Sequence, residues 1–213
     1  MKTPASPPHD CPLCPRLVAF RADNRKKHPD WFNGPVPSFG PLDARLAIAG
    51  LAPGLQGANR TGRPFTGDWA GDLLYATLLK LGLAKGVYDE RRDDTLELVD
   101  CRIVNSVRCV PPQNKPEPSE IKTCRQFLIG ELQTLPNVKT ILALGKIAHD
   151  SVLKTLDARI AAHPFKHGAI YKIGKFDLIS SYHCSRYNTN TGVLTTKMFE
   201  DVVAKAKALT AIA

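Results

Sequence analysis

The stretch from Gly50 to Asp68 constrains this chain more than any other. It follows a short apolar run, Arg45-Leu46-Ala47-Ile48-Ala49, with the composition of a buried strand. It precedes Leu73, Leu74, Tyr75, Leu78 and Leu79, which share one face of a helix. A long glycine-rich loop thus leaves the C-terminal end of a strand and enters a helix, and in open α/β sheets that is where ligands bind. The loop holds Arg60, Arg63, Phe65 and Asp68 among five glycines counted from Gly50. That set suits a site that approaches phosphate, stacks a flat ring and does polar chemistry.

The alternation of apolar runs and helical patterns continues downstream. Strands are expected at 45–50, 99–104, 140–144 and 177–182, and helices at 71–82, 118–133, 146–155 and 196–209. This order predicts a mostly parallel sheet covered by helices on both faces. Segment 85–97 is charged and reads as a surface loop, and the Pro-rich stretch 110–118 must stay extended. Ser119 reads as the cap of the next helix, without the Glu or Gln of a capping box, since Lys122 stands three residues on. No repeat or linker divides the chain, so 1–213 reads as one domain with a Pro-rich N-terminal segment over about 1–40. The loops after the first, second and fourth strands (Gly50–Asp68, Asn105–Cys109 and His183–Gly192) are all polar. In a parallel sheet they gather at one edge.

The formal charge of +9 and pI near 9.3 favour a polyanionic partner, nucleic acid foremost, because clustered Lys and Arg gain affinity by releasing counterions from phosphate backbones. The N-terminus has no apolar signal region, and no run is long and apolar enough to span a bilayer. A reducing cytoplasm is therefore expected, where six cysteines point to metal or a cluster before disulfides. Cys11 and Cys14 form a C-x-x-C pair, while Cys109 and Cys124 flank the Pro-rich loop. Four thiolates suit zinc or an iron–sulfur cluster, and the spacing alone does not choose between them. Cys101 lies in a strand pattern and reads as core, whereas Cys184 stands in a polar loop.

Several chemistries are excluded. Gly57–Gly62 imitates a phosphate-binding loop, but Arg63 and Pro64 stand where Lys and Ser or Thr must reach phosphate and magnesium. No G-x-G-x-x-G occurs, and no His is followed two residues later by Glu, as a zinc nucleobase deaminase requires.

Three motifs now combine. Gly50-Leu51-Ala52-Pro53-Gly54 with Asn59–Asp68 is the first. The second is Asn105–Cys109 with Pro111, Pro112, Asn114 and Pro116, and the third is Ser181-Tyr182-His183 with Asn188–Gly192. Together they resemble the uracil-DNA glycosylase superfamily, family 5 (the B-type enzymes), from Cys11 to about Gly192. The resemblance implies a parallel four-stranded sheet between helices, and a 4Fe–4S cluster on Cys11, Cys14, Cys109 and Cys124. It implies hydrolysis of the N-glycosidic bond of uracil in DNA, and of other deaminated bases such as hypoxanthine. The enzyme would be a monomer acting on DNA.

Within that resemblance, Gly50, Ala52, Pro53, Gly54, Phe65 and Asn105 would hold the base. Phe65 would stack on an extruded ring and the Asn105 amide would match one edge of uracil. His183 would donate to the departing base and Asp68 would steady the cationic sugar or position water. Arg60, Arg63, Cys184, Ser185, Arg186 and Tyr187 would meet the DNA. Five of them have a plainer reading: Phe65 as a core Phe, Asn105 as a turn former, His183 as structural, Asp68 as a helix cap and Tyr187 as a surface Tyr. Two departures stand out. Leu51 replaces the Glu of the related family 4, an absence family 5 shares, which leaves Asp68 as the remaining carboxylate. Cys184 replaces the usual Pro after the motif His, which is expected to loosen that loop. The rival function is a non-catalytic iron–sulfur protein that binds DNA lesions.

Overall fold

The computed structural model describes residues 4–211. In chain order the elements are α1 (Pro15–Lys27), β1 (Leu46–Gly50), α2 (Ala58–Thr61), α3 (Trp69–Lys80), β2 (Ala84–Lys85), β3 (Glu97–Leu98), β4 (Cys101–Asn105), α4 (Pro118–Thr134), β5 (Thr140–Leu144), α5 (Lys146–Thr155), β6 (Ile170–Ile173), β7 (Phe176–Ser181), α6 (Arg186–Asn190) and α7 (Thr196–Ala211). Among the described residues no helix is long and apolar enough to cross a membrane.

The main sheet runs β4-β1-β5-β7-β6. The four expected strands are present and parallel, but the sheet has five strands rather than four. β6 pairs antiparallel with β7 across a tight turn in which Gly174 adopts φ +55°. It is a half-exposed edge strand carrying Lys172, the kind of charge that discourages edge-to-edge association.

Alternating strand residues feed two cores. Leu46, Ile48, Ile103 and Leu142 pack with Leu74 and Leu78 of α3 and Phe199 and Val203 of α7. Ala47, Ala49, Ile141 and Leu178 face the other way, toward Leu128 and Leu132 of α4 and Val152 of α5. The handedness of crossovers explains this division. The step from β1 to β4 moves one way across the sheet, and those from β4 to β5 and from β5 to β7 move the other way. Right-handed connections then put α3 on one face and α4 and α5 on the opposite face. The direction in which successive connections step across the sheet reverses between β1 and β5, two parallel neighbours, which makes the crevice at their C-terminal ends the switch point where ligands bind.

Three local expectations are corrected. Pro-rich segment 1–40 contains a 13-residue helix, α1, which Pro15 starts by occupying a position that needs no N–H donor. Segment 85–97 is not merely loop, because β2 and β3 pair across its two ends and Leu96 is buried. Ser119 does not cap α4. The cap residue is Glu117, followed by Pro118, and Glu120 supplies the reciprocal acceptor, taking the Glu117 N–H at 2.7 Å.

Candidate active site

Strand register brings the motifs together. Gly50 lies opposite Asn105, and Leu144 opposite Ser181, so the loops after these strands open at one level. Between them is a cavity of about 420 Å³. Leu51, Ala52, Pro53, Gly54, Phe65 and Asp68 line it from the first loop, Asn105 and Asn114 from the second, and His183 and Ser185 from the last. Sequence reasoning missed one wall. The junction of β5 and α5, Leu144 to Ala148, also lines the cavity, and its signal was a glycine, Gly145, between an apolar strand and a helix. Gly145 adopts φ +93°, which a side chain would resist.

Asn105 is 3% exposed, and its Oδ1 is buried with no hydrogen-bond partner. An orphaned buried acceptor costs about 1–3 kcal/mol, so a group in this position invites a donor from a ligand. Gly50 does not line the cavity but makes room for the residues that do. A Cβ there would stand 2.4 Å from Asn105 Oδ1 and 3.0 Å from the Phe65 ring. Phe65 combines both readings of its sequence position, being packed into the core and lining the cavity. Its ring lies 6.0 Å from that of His183 at an interplanar angle of 29°. Its backbone sits at φ +52°, a conformation costing of order 1–3 kcal/mol in a bulky residue.

Asp68 is both helix cap and cavity wall. Oδ1 accepts from Gly71 N–H at 3.0 Å, while Oδ2 lies against Gly57, where a Cβ would approach it to 2.4 Å. Burial pushes the Asp68 carboxyl above the usual range, against the pull of the Gly71 and Ala70 N–H groups. Burial pushes His183 below the ordinary imidazole value, so at neutral pH it is an uncharged ring able to donate one proton. The His183 carbonyl is held by Asn188 Nδ2 at 2.8 Å, and Ser185 caps α6 by accepting from Asn188 N–H.

Around the cavity, Arg60 is exposed and reaches back to the Gln56 carbonyl at 2.8 Å. Arg186 lies 5.5 Å over the ring of Trp69, whose Nε1 donates to Thr189 Oγ1 at 2.9 Å. Tyr187 is 74% exposed. Lys146 and Ile147 are exposed beside the cavity. Two expected DNA contacts are corrected. Arg63 is 4% exposed and forms a two-pronged ion pair with Asp94 at 2.7 Å for each bond, so its charge is spent inside the protein. Cys184 is fully buried in the core beneath α3, with Sγ 3.4 Å from the Ala70 carbonyl. It therefore pins the loop rather than loosening it.

The four cysteines of the two pairs share one apolar pocket with Leu17, Val107 and Phe127. All six cysteines are free thiols. Among the described residues no three His, Cys, Asp or Glu side chains come together as ligands of one metal ion. Burial pushes Cys109 up to about 12 and Cys124 up to about 11, so the bare thiols stay protonated. Two donors offset this where they touch sulfur: Arg108 N–H points to Cys124 Sγ at 3.4 Å and Arg21 Nη1 to Cys109 Sγ at 3.7 Å. Such donors favour thiolates bound to metal.

Comparison with known proteins agrees with this geometry. The family model described as the uracil DNA glycosylase superfamily matches residues 37–207. The chain is 47% identical over 206 residues to the type-5 uracil-DNA glycosylase of Thermus thermophilus, covering 93% of both chains. It is 39% identical over 203 residues to the type-5 uracil-DNA glycosylase of Pyrobaculum aerophilum, covering 93% of this chain and 88% of that one. A type-4 uracil-DNA glycosylase of Thermotoga maritima is 37% identical over 114 residues, covering 53% of this chain and 51% of that one. With its motifs gathered at the switch point of a parallel sheet, the chain belongs to the uracil DNA glycosylase superfamily, in its type-5 branch.

Proposed function

We propose that this protein is a DNA-repair glycosylase that hydrolyses the N-glycosidic bond of uracil in DNA and leaves an abasic site. The observation that carries the reading is the orphaned Asn105 Oδ1, buried at the base of the cavity beside Phe65. A base stacked in a duplex is out of reach, so it must be extruded into the cavity. Phe65 offers the flat surface there. The Asn105 amide accepts from the N3–H of uracil and donates to O4, which relieves the orphan. His183, neutral at rest, donates to the base oxygen as negative charge grows on the leaving ring. Asp68, as carboxylate, steadies the positive sugar or orients the attacking water.

The same edge logic extends to other deaminated bases. Deamination turns an amine beside a ring acceptor into a carbonyl beside a ring N–H, in adenine as in cytosine. Hypoxanthine therefore presents Asn105 with the pattern that uracil does, and a cavity of about 420 Å³ falls within the range of ordinary small-molecule sites. Arg60 and Arg186 are exposed for phosphate contact, and Tyr187 is exposed as a wedge into the stack.

Cys11, Cys14, Cys109 and Cys124 would hold a 4Fe–4S cluster. Four thiols spaced round an apolar pocket suit a polynuclear centre that takes one thiolate per iron. When bound, the cluster supplies a structural tie between α1, the loop after β4 and α4, and hydrolysis asks no redox step of it.

The test is single-turnover base release from end-labelled DNA carrying one uracil opposite guanine, with alkali to cut abasic sites. Asn105→Ala is expected to slow release by roughly a hundredfold, since the base loses its edge contact. Failure of the cluster-loaded parent to release uracil or hypoxanthine would leave a lesion-binding protein instead.

A further inference from the structure

The excursion between α3 and β4 looks like solvated surface in sequence, yet two of its side chains reach the Phe65 turn. Tyr88 Oη accepts from Gly67 N–H at 3.1 Å and donates to the Phe65 carbonyl at 3.4 Å. Asp94 takes both terminal nitrogens of Arg63, and Arg63 Nε in turn donates to Thr66 Oγ1 at 2.8 Å. Asp94 is itself fixed, accepting from the N–H groups of Asp89 and Leu96 at 3.0 Å each. The Arg63 guanidinium lies 5.7 Å from the ring centroid of Tyr75 and 5.9 Å from that of Tyr88, filling the space behind the turn. Tyr75 Oη closes the set by donating to the Pro64 carbonyl.

The turn needs such support. Phe65 adopts φ +52°, a region that bulky aromatic residues avoid. Its carbonyl oxygen presses so closely on Gly71 that a Cβ there would lie 1.8 Å away. Among the described residues, Tyr88 supplies the hydrogen bond to that carbonyl. Neither Tyr88 nor Asp94 lines the cavity.

We infer that Tyr88 and Asp94 are positioning residues for base release: from outside the cavity they lock the left-handed turn at Phe65 and so hold its ring flat against the extruded base. The inference rests on the reading of Phe65 as the stacking surface. The competing account is that the excursion only adds stability.

A double-mutant cycle on the full-length, cluster-loaded protein separates these. It is read as single-turnover release of uracil, at a temperature where circular dichroism shows every variant folded. Tyr88→Phe removes one oxygen and keeps the ring, so the fold is retained. Base release should fall roughly tenfold, the scale of one hydrogen bond. Affinity for a duplex with a reduced abasic analogue, which has no base to stack, should stay within about twofold. Phe65→Ala should slow release by roughly a hundredfold, and adding Tyr88→Phe to it should cost less than about twofold, because the ring it positions is gone. Asp94→Asn should repeat the pattern. Equal losses from Tyr88→Phe with and without the Phe65 ring would overturn the inference. So would no loss in the parent background, or a matching loss of abasic-site affinity. If Phe65→Ala released uracil at the parental rate, the stacking reading itself would fall.

Discussion

Asp68 caps α3 through Oδ1 and also lines the cavity, and its burial sets a conflict between stability and activity. A carboxyl whose folded pKa lies above its unfolded value costs stability at pH above both, and that cost shrinks as pH falls through the folded value and is gone below the unfolded one. Asn caps a helix as well as Asp does. Asp68→Asn at neutral pH should therefore raise the thermal midpoint while slowing base release by roughly a hundredfold. Calorimetry paired with single-turnover kinetics checks both halves, and a lower midpoint in the variant would contradict the assignment. In the parent, activity should decline as pH drops through the raised Asp68 value and the carboxylate is lost. Residue-level roles were partly legible in sequence. Asp68, Asn105 and His183 stood in polar loops at strand ends, and all three line the cavity. Arg63 stood in the same kind of loop and points inward, because its partner Asp94 lies 31 residues away, beyond any local pattern.

At the scale of elements, the junction of α1 and α4 depends on Glu120. Its carboxylate accepts from Glu117 N–H and from Arg16 Nε at 2.8 Å and Nη2 at 2.7 Å. One side chain thus caps α4 and ties down the helix that begins beside Cys14. Glu120→Ala should lower stability by about 2 kcal/mol, combining a lost cap with a broken half-buried ion pair. Ser119→Ala should stay within about 0.5 kcal/mol of the parent. Thermal unfolding of the loaded protein ranks the three, and a larger loss from Ser119→Ala would restore Ser119 as the cap. α1 escaped the sequence reading because its prolines and weak apolar patterning resemble a loop. Only Leu17, Arg21 and Asn24 of it are buried, too few for a helical stripe to stand out.

At the scale of the whole molecule, the four cysteines join three parts of the chain that are otherwise distant. Cys11 and Cys14 lie just before α1, Cys109 follows β4, and Cys124 is in α4. Metal binding at such a site is linked to folding. Cys124→Ala should yield protein without the brown colour of a cluster and with trypsin cuts at the basic end of α1 (Arg25, Lys26, Lys27), while the sheet stays protected. Unchanged absorbance would exclude Cys124 as a ligand, and stoichiometric zinc in the parent would exclude the cluster.

What the sequence determined by itself follows from short-range periodicity. The parallel strands, the two-faced burial and the convergence of loops at strand ends all derive from patterns of two and 3.6 residues. The glycine-rich loop, the polar strand ends and the paired cysteines marked the chemistry, because such residues are poor choices for strand and helix interiors. Tertiary structure decided the rest. The edge strand β6 forms because β7 offers it a partner, since its own half-exposed pattern is weak. Cys184 turns inward to pack in the core under α3, with Sγ against the Ala70 carbonyl. The left-handed turn at Phe65 persists because Gly71 lets the backbones meet and Tyr88 bonds the carbonyl. The Cys184 and Tyr88 contacts join segments 114 and 23 residues apart, and their free energy exceeds local preference and leaves no mark in local sequence.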